Sequence, residues 1–218
     1  MTLVLAINGV ESVWMMADRR LSGQGVRPRD DAVKVFLLGT RDCEAIIGYS
    51  GLGATSLGTQ PSDWMSTVLR GRSLTLEQSL QVLANAIQRE IPRHVVGLSR
   101  STEFCHLVLV TALYKYIEVR CYAITLTRTH PKAPWQVRYG PIRTRRPGER
   151  PPRFAITGSG AACLSKSNEW QRPLLRLVNA HDHRKLSAAR VADELARFNQ
   201  EVRDTTPDGT VGPHCIVV

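Results

Sequence analysis

The sequence predicts an α+β fold in a single domain spanning residues 1–218, with two antiparallel sheets stacked face to face and helices on the outside. Three observations carry that expectation. Strand-like runs come in groups separated by pairs of helices, which favours antiparallel sheets over a strand–helix–strand array. The clearest helix has one apolar stripe and therefore one buried face. Finally, 218 residues with no internal repeat and no shift in composition suit one sizeable core better than two.

Apolar alternation places a first strand at Leu3 to Asn8, a tight turn over Gly9 to Ser12, and a second strand at Val13 to Ala17, with Trp14, Met15 and Met16 as core. Two further strands, Val33 to Leu38 and Glu44 to Tyr49, flank a turn at Gly39 to Asp42 and lead into a glycine corner, Gly51-Leu52-Gly53. A helix around Asp63 to Leu69 precedes a clearer one from Leu76 to about Ile91. In that helix Leu80, Leu83, Ala84, Ile87 and Ile91 form one stripe, Thr75 is the N-cap and Pro92 marks the end. Strands at His106 to Leu113 and Ile117 to Leu126, a basic loop, and a short strand at Arg153 to Thr157 follow. That strand ends in Gly158-Ser159-Gly160. Helices near Ala161 to Asn179 and Ser187 to Arg203, then a strand at His214 to Val218, complete the order.

Composition narrows the function. There is no run of eighteen apolar residues and no basic, apolar and small-residue leader, so a soluble cytoplasmic protein with no membrane partner is expected. The five cysteines show neither a C-x-x-C pair nor zinc spacing, and read as free thiols. The net charge of +10 comes from arginine, since only five of the 29 basic residues are lysines. Arginines are densest from Arg138 to Arg153, but no aromatic residues interleave with them as stacking platforms, so a solvated loop is the plainer reading and no nucleic-acid partner is expected.

The terminus is the informative feature. Thr2 follows the initiator methionine, and a small second residue permits removal of Met1, leaving a hydroxyl and a free amine on one residue. An α-amino group has a pKa of about 7.7–8.0, close to working pH, which suits it as the base for its own side chain. Asp18 closes the second strand, and Lys34, the only lysine before position 115, sits in the next. Lysine can shift its pKa and exchange protons where arginine stays charged. A plain ion pair between Asp18 and Lys34 is the structural alternative.

Thr2, Asp18 and Lys34 stand sixteen residues apart in turn. With Thr2-Leu3-Val4-Leu5-Ala6, Met16-Ala17-Asp18-Arg19-Arg20 and Lys34-Val35-Phe36 around them, they resemble the proteasome β subunits and related bacterial ring proteases, which are N-terminal nucleophile (Ntn) hydrolases. The resemblance implies a four-layer αββα sandwich. It gives Gly53, second glycine of the corner, an N–H for the oxyanion, and places Ser159 of Gly158-Ser159-Gly160-Ala161 beside the threonine amine. In Asp208-Gly209-Thr210-Val211-Gly212 the aspartate and glycine of a family motif remain, but Val211 stands where a serine is usual, and Asp204 rivals Asp208. The stretch between Lys34 and the glycine corner is longer than in typical proteasome β subunits.

The activity implied is a threonine peptidase or amidase, without cofactor, acting on peptides or unfolded protein inside a homo-oligomeric ring, often a double ring. Whether an ATPase partner is needed stays open. Alternatives are a ring subunit that has lost proteolysis and serves as scaffold, and an amidohydrolase of small molecules. Other signals are weaker. The glycine motifs at 51–56 and 158–163 lack a strand–helix–strand setting for a dinucleotide, no G-x-S-x-G elbow occurs, and His181-Asp182-His183 reads as a solvated loop rather than a metal site. Cys215 beside His214 reads as packing.

Overall fold

In the computed structural model, all residues are described except 1, 24–25, 52–59, 95–102, 116–117, 143–152, 159, 207–208 and 210. The chain opens with a hairpin of β1 (Val4–Asn8) and β2 (Val13–Asp18), turned at Gly9, whose N–H donates to the Ser12 carbonyl at 2.8 Å. A two-stranded ribbon of β3 (Leu21–Gly23) and β4 (Val26–Arg29) follows, then β5 (Val35–Gly39) and β6 (Cys43–Ser50). Helices α1 (Pro61–Leu69) and α2 (Leu76–His94) lead to β7 (Glu103–Tyr114), β8 (Glu118–Thr127), β9 (Gln136–Pro141) and β10 (Phe154–Thr157). The last third holds α3 (Gly160–Leu164), α4 (Gln171–Asp182), α5 (Ala188–Thr205) and β11 (Cys215–Val217).

Two antiparallel sheets result, one ordered β10-β1-β2-β11 and the other β5-β6-β7-β8-β9. The period-two alternation of the strands divides their side chains between layers. Leu3, just before β1, together with Leu5, Ile7, Trp14 and Met16 of β1 and β2, turns outward onto Leu174, Val178, Val191, Leu195 and Phe198 of α4 and α5. Val4, Ala6, Met15 and Ala17 turn inward onto Val35, Ile46 and Leu109 of the second sheet. The outer face of that sheet, with Ile47, Tyr49, Val110 and Ile124, receives Met65 of α1 and Leu80, Leu83 and Ile87 of α2. The layers are thus helix, sheet, sheet, helix, as the sequence predicts. The sheets meet closely at Gly48, where a Cβ would overlap Met15 Sδ and lie 2.7 Å from Val4 Cγ1.

Several local expectations are corrected. Lys34 is not within a strand but directly before β5, although its carbonyl still accepts from the Tyr49 N–H at 2.8 Å. The β3–β4 ribbon between Asp18 and Lys34 makes β5 the fifth strand rather than the third. Pro92 lies inside α2, which runs on to His94: a missing N–H costs one bond, and Ile87 and Ile91 anchor the last turns to the sheet. Thr75 does cap this helix, accepting from the Gln78 N–H at 3.3 Å while Gln78 Oε1 accepts from the Thr75 N–H at 3.1 Å, a reciprocal box.

Part of the basic loop is β9, an edge strand whose Val137 and Tyr139 pack toward the α2 layer while Gln136 and Arg138 face solvent. The dense arginines at 143–150 lie outside the described residues. The single helix expected over Ala161 to Asn179 is broken into α3 and α4 by Ser165 to Trp170. Here Ser167 Oγ accepts from the Glu169 N–H, and the Asn168 carbonyl from the Gln171 N–H, drawing the backbone out of the helix.

His181-Asp182-His183 is no solvated loop. It closes α4, where the Asp182 carboxylate accepts from the Val10 N–H at 2.6 Å and Ser12 Oγ at 2.5 Å, and His181 meets Trp14 edge to face. That staple ties the β1–β2 turn to the outer helices. No described helix is long and apolar enough to cross a membrane.

Candidate active site

Thr2 enters the site because it directly precedes β1, which begins at Val4. The Thr2 carbonyl accepts from the Gly160 N–H at 3.2 Å, and neighbouring Gly158 has φ +92°, a left-handed conformation in which any Cβ would overlap that carbonyl. The Asp18 N–H pairs with the Leu3 carbonyl at 3.0 Å, so the end of β2 sits against the start of β1. Across the sandwich, Lys34 leads into β5 and projects between the sheets.

The three side chains converge. The Lys34 ammonium donates to Thr2 Oγ1, the Thr2 hydroxyl donates to Asp18 Oδ1, and Lys34 Nζ lies 3.1 Å from Asp18 Oδ1. All are deeply buried, with Thr2 3%, Asp18 0% and Lys34 2% exposed. Lys34 Nζ also donates to the Arg20 carbonyl at 2.5 Å.

Asp18 is saturated with donors. Its Oδ1 accepts from the Leu3 N–H at 2.7 Å, and its Oδ2 from the N–H groups of Arg20 at 3.0 Å and Gly212 at 3.1 Å. Burial pushes the Lys34 pKa below that of an ordinary lysine, while the charges of Asp18 and Asp30 oppose the shift. A lysine so placed can trade protons with a neighbour on Thr2, and its charge favours an ionised oxygen there.

Residues without an obvious sequence signal complete the setting. The Arg20 guanidinium grips Asp30 at 2.8 and 2.9 Å and donates to the Gly209 carbonyl at 2.7 Å, tying the base of the ribbon to Gly209. The hydrogen bond to Arg20 holds the Asp30 carboxyl below the usual carboxylate range. Ser50 and Thr157 hydroxyls, 3.0 Å apart, link the ends of β6 and β10.

Of the sequence-predicted set, Thr2, Asp18 and Lys34 are brought together, while Gly53, Ser159 and Asp208 lie outside the described residues. Asp204 stands apart, exposed and paired with Arg203. Val211, in place of the expected serine, is fully buried in the apolar layer beneath β1. Cys215, opposite Asp18 in the β2–β11 register, packs in that layer with its thiol pushed up to about 11, chiefly by burial. Among the described residues no three His, Cys, Asp or Glu side chains group to hold a metal.

Solved structures share this architecture. Anbu, an ancestral β-subunit, from Yersinia bercovieri superposes with TM-score 0.56 over 99% of this chain and 80% of its own, at 13% identity. The fold is the Ntn-hydrolase sandwich. Anbu from Pseudomonas aeruginosa, solved as a helical assembly, gives TM-score 0.57 over the same shares at 14% identity. A Gly-1 mutant of Anbu from Hyphomicrobium sp. strain MC1 gives 0.56 at 12%, over 100% of this chain and 80% of its own. No protein-family model matches the chain, and no curated protein matches it by sequence. Within this sandwich, the Thr2, Asp18 and Lys34 cluster lies at the start of β1, the end of β2 and the start of β5.

Proposed function

We propose that this chain is an amide hydrolase that uses Thr2 as its nucleophile once Met1 has been removed. The observation that carries the reading is the convergence of Lys34 Nζ and the Asp18 carboxylate on Thr2 Oγ1 in a buried site. Thr2 Oγ attacks the amide carbonyl, and the freed α-amino group of Thr2 takes the hydroxyl proton and returns it to the leaving amine. Lys34, pinned by Asp18 and the Arg20 carbonyl, places positive charge beside the nucleophile and lowers the basicity of that amine. Asp18 lies against the hydroxyl itself as well as against Lys34, so it orients both. Gly53 N–H would receive the oxyanion and Ser159 would position the amine, as the resemblance implies; Asp208 would support the site from segment 208–212.

Peptides or unfolded proteins are the proposed substrates, cleaved within a homo-oligomeric ring. One Anbu neighbour was solved as a helical assembly, and a ring or helical stack of this chain would enclose Thr2. A second reading, a scaffold subunit without proteolysis, is favoured by Val211, which puts an apolar side chain where a hydroxyl is expected.

Intact-mass spectrometry combined with an epoxyketone separates the two, because that reagent needs both the hydroxyl and the free amine. The enzyme reading expects loss of Met1, one adduct on wild type and none on Thr2→Ala. A demethionylated protein that forms no adduct supports the scaffold. The adduct rate should rise with pH through the titration of the amine, at or below about 7.7–8.0, since the Lys34 ammonium depresses it.

A further inference from the structure

Helix α5 buries Val191, Leu195, Phe198 and Val202 as an apolar stripe against the first sheet, and one polar residue, Asn199, lies among them with 0% exposure. Its Nδ2 donates to the Gly212 carbonyl at 3.0 Å. The N–H of the same glycine donates to Asp18 Oδ2 at 3.1 Å. Asn199 Oδ1 is buried and has no hydrogen-bond partner among the described residues. An amide kept in an apolar layer with one end unsatisfied costs stability.

From this juxtaposition we infer that Asn199 is a positioning residue for the reaction: it fixes Gly212 so that its N–H is aimed at Asp18, which in turn holds Lys34 and Thr2. The inference rests on the Thr2 reading above, since it assigns Asn199 to that same site. The relay runs from α5 through one residue to the carboxylate, and each link is a hydrogen bond. Arg20 also donates to the Gly209 carbonyl. With Asn199 absent, the Gly212 carbonyl loses its partner, although Val211 stays buried and the His214 carbonyl still accepts from the Arg19 N–H. The aim of the Gly212 N–H at Asp18 Oδ2 loosens, and the Arg20 N–H is that oxygen's remaining firm donor. More of the carboxylate charge then falls on Lys34, which holds its proton more firmly.

The test is Asn199→Leu, with Asn199→Ala as the smaller replacement should leucine prevent folding. Three measurements are made on each: thermal midpoint, epoxyketone adduct rate against pH, and hydrogen exchange at the Gly212 amide. A residue that served only packing would leave the pH profile where it was. We expect little change in the midpoint of the leucine variant, because the orphaned Oδ1 it removes is offset by the Gly212 carbonyl it strands, together with an adduct rate lower by about tenfold to a hundredfold, a basic limb moved to higher pH, and faster exchange at Gly212. An unchanged rate and profile would overturn the inference, as would unchanged protection at Gly212. Should wild type itself form no adduct, the Thr2 reading fails. In that case exchange at Gly212 and the NMR titration of Lys34, compared between wild type and variant, decide the role of Asn199 by themselves.

Discussion

Asp18 shows how a single residue can be constrained from every side. Both its oxygens accept backbone N–H groups, from Leu3 on Oδ1 and from Arg20 and Gly212 on Oδ2, while Lys34 and the Thr2 hydroxyl share Oδ1. In Asp18→Asn, the amide NH2 must face a donor whichever way it turns, and the Lys34 ammonium is left buried without its counter-charge. The expected cost is about 3 kcal/mol, measured by urea denaturation, because removing one member of a buried pair strands the other. Adduct formation should be lost with it.

Lys34 carries the opposite burden. Its folded-state pKa lies below its unfolded value, so the unfolded chain binds more protons between the two. Its burial therefore costs stability at neutral pH, and that cost is relieved as pH rises across the window toward about 10.4.

Gly158 supplies the other residue-scale prediction. Its φ of +92° and its contact with the Thr2 carbonyl leave no place for a methyl group. Gly158→Ala should displace Thr2 and slow the adduct reaction by about a hundredfold, since misplacement near 1 Å costs that much. A rate within twofold of wild type would show that the contact does not position the nucleophile.

Among the elements, α2 and α5 owe their starts to capping side chains, whereas α1 and α4 have no side-chain cap. Ser187 caps α5, accepting from the Arg190 N–H at 3.3 Å. Ser187→Ala should cost about 1 kcal/mol and lower the thermal midpoint by roughly 2–4 °C in a chain of this size, read by calorimetry. The adduct rate should not change, because the cap lies at the far end of α5 from Asn199. Strand β9 shows a limit of local reading: Val137 and Tyr139 alternate as a strand should, but Pro134, Pro141 and the surrounding arginines mask the pattern. An edge strand tolerates such residues because one side of its backbone faces no partner strand.

At the scale of the whole molecule, the site exists because two sheets pack closely enough for Lys34 of one to reach Thr2 and Asp18 of the other. Gly48 governs that spacing, with Met15 and Val4 occupying the space a β-carbon there would need. Gly48→Ala should force the sheets apart, costing roughly 1–3 kcal/mol by overpacking, and should slow adduct formation out of proportion to the stability lost. Calorimetry and the adduct rate, measured on the same preparation, check both halves. Electron microscopy of the purified particle tests the assembly, with a closed ring or stacked helix expected and a free monomer counting against a chamber.

The sequence by itself determined the nucleophile candidate, its two charged neighbours, the opening hairpin, the amphipathic face of α2 and the presence of the helix at α5. These are legible because residue type, spacing and period are local properties of the chain. Only the tertiary structure decided that the Thr2 hydroxyl lies on Asp18 as well as Lys34, that Asp182 staples the first turn, and that Asn199 reaches Asp18 through Gly212. Those contacts join residues far apart along the chain, and their partners are set by how the layers stack and where the polar groups buried between them find donors and acceptors.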